Sequence, residues 1–298
     1  MLCPLYGGKM VKKFYPWILL SPAILAILIF LGYPIVENIR LSFLDYSMYR
    51  PDQVEWNNFA NYIKLFKDPY FIKVALNTVV WCVAVVGGQF VLGLSLAVLL
   101  NRKFRFRGVY QAIVFLPWAI ANFLVGLMFR WIFAEHAGLL NYFLTSIGLI
   151  DKPISWLADK RFVMVGPIVG MIWYGIPFFG MMILAALQSI PTEIYESADI
   201  DGASHFQRFR MVIMPYIRPT IITTVLLRVI WVFNSPDVIF MMTEGGPDNA
   251  SNILPLYVYN QAFSSLDFGY SAAVSVFIVV VLLVFALLYL KVAKYNED

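Results

Sequence analysis

Six stretches of this chain stay apolar for about twenty residues or more, the length a helix needs to cross the hydrocarbon core of a bilayer. They run over 15–35, 74–100, 109–133, 162–187, 216–242 and 270–290. In lipid every backbone N–H and C=O must be satisfied within its own segment, so runs of this length predict helices. Composition agrees: 61% of the residues are apolar and only 13% are charged, where a soluble domain carries about 25% charge. That excludes a disordered chain, a collagen-like fibre and an ordinary soluble enzyme. A disulfide scaffold is excluded as well. Cys3 lies at the N-terminus and Cys82 inside an apolar run, so both are expected as free thiols. The expected fold is all-α, a polytopic membrane protein with six transmembrane helices.

The first run follows Lys9, Lys12 and Lys13, an opening like that of a signal peptide. Its apolar stretch is too long for one, and no small-x-small cleavage site follows it, so it reads as a retained helix. Six spans place both termini on one side. The segments on that side, 1–14, 101–108, 188–218 and 291–298, hold twelve Lys and Arg in 61 residues. The opposite segments, 37–73, 134–161 and 241–268, hold eight in 93. The denser side is expected to be cytoplasmic, with both termini inside. The organisation expected is a cytoplasmic N-terminus at 1–14, a first span with its outer loop at 15–73, a five-helix core at 74–290, and a cytoplasmic tail at 291–298. Within the outer loop, Phe59, Tyr62, Ile63 and Phe66 recur at helical spacing. They predict a short amphipathic helix lying on the outer membrane face or packing on the bundle.

Connections between packed helices usually take about 2 to 8 residues. The cytoplasmic loop 188–215 is far longer and carries its own helix signals. Thr192 reads as an N-cap, Glu193 and Glu196 suit the positive end of a helix, and Gly202 ends the segment 193–201. Ser204 and Gln207 form a capping-box pattern for a second helix bearing Phe206, Phe209, Val212 and Ile213. Pro215 then opens the fifth span. Two readings stand: an amphipathic hairpin on the lipid headgroups, or a rigid knob gripped by another protein. The acids Glu196, Asp199 and Asp201 favour the knob, because an interfacial helix prefers Lys and Arg on its polar side.

The stretch Glu196-Ser197-Ala198, Gly202, Val212, Met214-Pro215 resembles the EAA loop of importer-type ABC permeases, with Ser197, Val212 and Met214 as conservative departures. Asn61-Tyr62, Asp68-Pro69, Phe71 and Asn77-Thr78 are similar to the sugar-permease branch that contains the maltose and glycerol-phosphate importers. So is Thr243-Glu244-Gly245-Gly246-Pro247. The resemblance implies one membrane subunit of a bacterial or archaeal cell-membrane complex. Its partners would be a second permease, two cytoplasmic ATPases and an extracytoplasmic substrate-binding protein. It also implies that Glu196, Ser197, Ala198, Asp201, Gly202, Phe206 and Pro215 couple the chain to its ATPase.

The chain shows no phosphate-binding loop, since Gly8-Lys9 lacks the upstream glycine spacing. His136 and His205 fall in different compartments, so no metal site is expected. No catalytic constellation is visible and nothing points to nucleic acid. ATP and Mg are therefore expected on a separate ATPase chain, with no cofactor bound here and no enzyme activity of its own.

Polar groups inside a span are functional candidates. Arg228, Trp231 and Ser235 stand at i, i+3 and i+7, one face of the fifth span. A cation, an indole and a hydroxyl together suit a sugar, whose apolar face stacks on aromatics and whose hydroxyls take hydrogen bonds. The resemblance implies that these positions contact substrate, together with Tyr174 and Gly175 in Trp173-Tyr174-Gly175-Ile176-Pro177, where the fourth helix is expected to break. The cargo reads as an oligosaccharide or related glycoside. An anionic cargo stays open, because a guanidinium also pairs with phosphate or carboxylate. The alternative role for Arg228 is a salt bridge, for Asn234 and Asp237 the satisfaction of a kinked backbone. Rival readings are an ion-gradient-driven secondary transporter, for which Asp237 is a thin basis, and a membrane-embedded enzyme.

Overall fold

The computed structural model describes residues 9–102 and 104–295. Residues 1–8, Lys103 and 296–298, parts of the expected cytoplasmic segments, lie outside the described residues. The chain divides into two compact units, one of residues 1–65 with 261–277 and the other of 66–260 with 278–298.

In the first unit, α1 (Lys9–Ile27) and α2 (Tyr33–Leu41) make one apolar run joined by a π turn at Leu28–Gly32. The turn sits just before Pro34. A proline lacks its N–H and clashes with the carbonyl four residues back, and a widened turn lets the helix pass it without breaking. Strand β1 (Leu44–Asp45) then pairs antiparallel with β2 (Glu55–Trp56), Leu44 facing Trp56. These are the only strands among the described residues. In α3 (Ala60–Lys67) the apolar stripe points outward: Phe59, Ile63 and Phe66 are exposed, while Asn61 and Leu65 are buried. Of the two placements expected for this helix, packing on the bundle through that stripe is therefore corrected. Asn61 is a staple instead, its amide donating to the carbonyls of Ser42 and Leu44 at 3.0 and 2.9 Å.

The second unit begins with α4 (Pro69–Leu100), capped by the Asp68 carboxylate, which accepts from the Tyr70 N–H at 2.9 Å. It continues through α5 (Arg107–Phe115), α6 (Asn122–Ile132), α7 (Leu139–Ser146), α8 (Val165–Gln188), α9 (Thr192–Ile200), α10 (His205–Arg208), α11 (Met214–Phe233), α12 (Asp237–Thr243) and α13 (Leu254–Tyr259). Helix α14 (Phe268–Tyr295) runs from the first unit into the second. Five helices are long and apolar enough to cross a membrane, six when the bent pair α5–α6 counts as one span.

That pair covers the third expected run, 109–133, as a broken span. The helices meet at 94° across a 3-10 turn at Leu116–Ala119. Pro117 cannot donate a helical hydrogen bond, and the following residues go extended at Ile120 and Ala121. Irregular backbone at membrane depth is tolerated where it lines a cavity, which is its position here.

Helix α8 corrects a second expectation. It passes through Pro177 as one element, held by close packing on α4. A Cβ at Gly93 would sit 3.1 Å from the Gly180 nitrogen, and one at Gly88 would run into Ile172. Small residues that let two backbones approach are a common device for packing helices in lipid. The fifth span does break, after Phe233. Asn234 donates back to the Ile230 carbonyl at 2.9 Å, and Trp81 donates its indole N–H to the Val232 carbonyl at 3.0 Å. The Ile230 carbonyl also accepts from the Asn234 backbone N–H at 3.3 Å, so the Asn234 amide reinforces the helix end and does not satisfy a freed group. Asp237 stands in the first turn of α12 without capping it.

The residues that carried the family resemblance outside the EAA loop are mostly structural staples. Thr78 Oγ1 accepts from the Leu254 N–H at 2.9 Å, and the Asn77 amide donates to the carbonyls of Asn249 and Asn252 at 2.9 and 3.1 Å. Beyond Gly246-Pro247, Asp248 pairs with Lys160 at 2.9 Å and Lys73 at 3.5 Å. The hydrogen bond from Lys160, with the charges of both lysines, holds the Asp248 carboxyl below the usual carboxylate range.

Candidate functional site

A cavity of about 360 Å³ lies between α8, α11 and the α5–α6 break. Tyr174, Arg228, Trp231 and Ser235 all line it, joined by Trp118, Asn122 and Met171. Four of the five side chains expected at a substrate site are thereby brought together. Ser235 reaches the cavity from the break after α11, not from the helix itself. Gly175 sits behind the wall: a Cβ there would overlap Gln89 and the Arg228 guanidinium, so its bare backbone is what lets Arg228 lie flat against α8.

Arg228 is 2% exposed. Its Nε donates to Gln89 Oε1 at 2.6 Å, and Gln89 Nε2 donates in turn to the Met171 carbonyl at 2.6 Å. The guanidinium carbon lies 5.7 and 5.6 Å from the ring centres of Tyr174 and Phe178, within cation–π range. The salt-bridge alternative is not realised within the chain: among the described residues no carboxylate lies within 4 Å of Arg228. Trp231 packs at 5.1 Å from Phe178, and Asn122 donates to Ser235 Oγ at 3.1 Å. The cavity thus offers an aromatic wall, a cation, a hydroxyl and an amide.

Sequence reasoning missed Gln89, Asn122, Trp118 and Met171. Gln89 and Asn122 carried a usable signal, since each is a lone amide inside an apolar run, the situation that marks intramembrane candidates. Trp118 and Met171 are indistinguishable from packing residues until the α5–α6 bend is known.

The second candidate region is the loop 188–215. Helix α9 ends in a Schellman motif: Ala203 N–H bonds to the Ala198 carbonyl at 3.0 Å and Gly202 N–H to that of Asp199 at 3.2 Å, with Gly202 at φ +72°. Ser204 and Gln207 form the expected reciprocal capping box. Arg208 ties the two helices together through Asp199 at 2.6 Å. Thr192 is not the cap: Pro191 holds that position without a side-chain bond, and Thr192 is the first helical residue. Pro215 stands in the first turn of α11, at the entry to the fifth span as expected, with no break before it. A π turn at Phe209–Ile213 carries the helix past it, as at Pro34, so that helical backbone is continuous over His205–Phe233. Glu196, Ser197, Asp201, Gly202, Phe206 and Pro215 are all exposed, whereas Ala198 is buried against its own chain.

A family model described as "Binding-protein-dependent transport system inner membrane component" matches residues 89–295. The chain belongs to this family. It is therefore a multi-pass inner-membrane permease component of an ABC-type transport system. A probable ABC transporter permease of Brucella suis is 34% identical, over 97% of this chain and 100% of the relative. The sulfoquinovosyl glycerol transport system permease SmoG of Agrobacterium fabrum is 31% identical, over 94% of this chain and 90% of its own. The crystal structure of a bacterial ABC transporter involved in import of the acidic polysaccharide alginate matches with a TM-score of 0.83 at 25% identity, covering 97% of this chain and 99% of that one. Its permease fold is the fold of this chain.

Proposed function

We propose that this permease forms part of the translocation pathway for a sugar or oligosaccharide, handed over by an extracytoplasmic binding protein. The observation that carries the reading is the membrane-depth cavity in which Trp231 and Tyr174 offer ring faces beside Arg228 and Ser235. Similar permeases are named for sulfoquinovosyl glycerol, trehalose or maltose, and lactose. The proposed assembly adds a second permease and two ATPase subunits that carry ATP and Mg.

Force would arrive through α9 and α10. Ile200, 86% exposed, and Phe206, 69% exposed, stand out from the hairpin beside Glu196 and Asp201. Apolar knobs rimmed by acids suit a protein cleft better than anionic lipid. The Schellman turn, the capping box and the Asp199–Arg208 pair make the hairpin stiff enough to transmit a displacement. Orientation follows the charge distribution: reporters fused after Arg210 are expected to read cytoplasm and those after Asp248 the outside. An external reading at Arg210 would overturn this placement.

The test against a secondary transporter is the energy source. Uptake into cells is expected to persist when ionophores collapse the proton and sodium gradients, provided ATP is held up, and to stop on ATP depletion. Uptake that follows the ion gradient at constant ATP would refute the reading.

A further inference from the structure

The cavity holds a cation that the described residues leave uncompensated. Among the described residues Arg228 hydrogen-bonds to one side chain, Gln89, and it is not an anion. Gln89 takes one N–H with a neutral amide oxygen, and its orientation is fixed because its amide nitrogen must face the Met171 carbonyl. The rest of the surroundings are aromatic faces, Tyr174 and Phe178. Nη2 of Arg228 is buried without any hydrogen-bond partner. A buried unpaired charge is costly, and such a group is normally paired with an opposite charge or neutralised. Here the lining has no carboxylate to supply one.

Elsewhere in the lining the pattern is complementary. Asn122 spends its amide N–H on Ser235 Oγ, which leaves the Ser235 proton free to be donated and leaves Asn122 Oδ1 buried without a partner. A ligand that fills both vacancies carries an anionic group at one end and a hydroxyl donor at the other, with an apolar face for Trp231.

We infer that the cargo accommodated in this cavity is an anionic saccharide, one whose carboxylate, sulfonate or phosphate oxygens accept from Arg228 while a ring hydroxyl donates to Asn122. The inference rests on the sugar reading above and narrows it. A neutral sugar would leave the buried guanidinium without an opposite charge, whereas an anion gains charge-assisted hydrogen bonds there. Such bonds discriminate by about tenfold to a hundredfold.

The test uses the purified full importer with the extracytoplasmic protein omitted, so that only the membrane site selects. Equilibrium binding is measured for three matched probes: maltotriose, the same trisaccharide oxidised to a terminal glucuronate, and the same trisaccharide carrying a terminal phosphate. The expected result is at least tenfold tighter binding of one or both charged probes, the arm that wins telling carboxylate from phosphate chemistry. Arg228→Lys should keep the preference and Arg228→Gln should lose it. Gln89→Glu supplies an internal carboxylate beside Nε and should also erase it, which keeps the test decisive if Arg228→Gln fails to assemble. Equal binding of maltotriose and the charged probes, weakened by Trp231→Ala, would overturn the anionic inference and leave the sugar reading standing. Absence of binding by all three probes would overturn both.

Discussion

Gly202→Val is expected to cut coupled transport about tenfold while the chain still inserts in the membrane. The residue sits at φ +72° in the Schellman turn that ends α9. No atom lies within 4 Å of where its Cβ would be, so sterics with the rest of the protein do not decide the outcome. The backbone decides it. An L-residue in the left-handed region costs about 1–2 kcal/mol, and a β-branched one sits at the upper end. That strain either persists or opens the turn, releasing the bonds that Gly202 and Ala203 make to the carbonyls of Asp199 and Ala198. A shift of about 1.4 kcal/mol is a factor of ten in the population of the stiff hairpin. Asn tolerates this region, so Gly202→Asn should recover much of the transport. ATP-dependent uptake in membrane vesicles, with membrane content checked by blot, reads the effect. Wild-type uptake in Gly202→Val would mean that the hairpin geometry does not carry coupling.

Trp231→Ala should weaken sugar binding by about 1–3 kcal/mol, a loss of roughly tenfold to a hundredfold, as expected for an aromatic contact. The residue is 46% exposed, so its removal opens no hole in packed core and the importer should still assemble. Its one close ring partner is Phe178 at 5.1 Å. Trp231→Phe retains a stacking face and should restore part of the affinity. The measurement is uptake across a range of substrate concentrations, where the variant should need far more substrate for half-maximal rate. An unchanged concentration dependence would place the cargo contacts on the partner permease.

The sequence was most legible where lipid enforces one answer. The runs at 74–100 and 270–290 must be helical because nothing else satisfies their backbone in a bilayer, and α4 and α14 are. The α9–α10 hairpin was legible because glycine and the Ser204–Gln207 pair carry specific backbone requirements. Where several solutions cost alike, the sequence was silent. Pro117 ends α5 at a sharp bend, yet Pro177 and Pro215 are passed without a break, one by packing on α4 and the other by a π turn. Those outcomes depend on neighbours distant in sequence. The amphipathic stripe on α3 left two placements open for a related reason: in a membrane protein an apolar face can seek lipid, so periodicity finds the helix without telling which face is buried. At the cavity, residue chemistry singled out Arg228, Trp231, Ser235 and Tyr174. The partners that fix them, Gln89 and Asn122, lie 139 and 113 positions away from Arg228 and Ser235 respectively, and became visible only in three dimensions.

On the proposed reading, this chain couples arrival of a loaded binding protein outside to ATP hydrolysis inside. The direct measurement is ATPase activity of the importer purified through a tag on this chain and reconstituted in lipid, with and without the sugar-loaded binding protein. The second permease and the ATPase subunits should copurify, and hydrolysis should rise several-fold on addition of the loaded protein, with Gly202→Val abolishing the rise. Purification of this chain without an ATPase, or hydrolysis indifferent to the loaded protein, would contradict it.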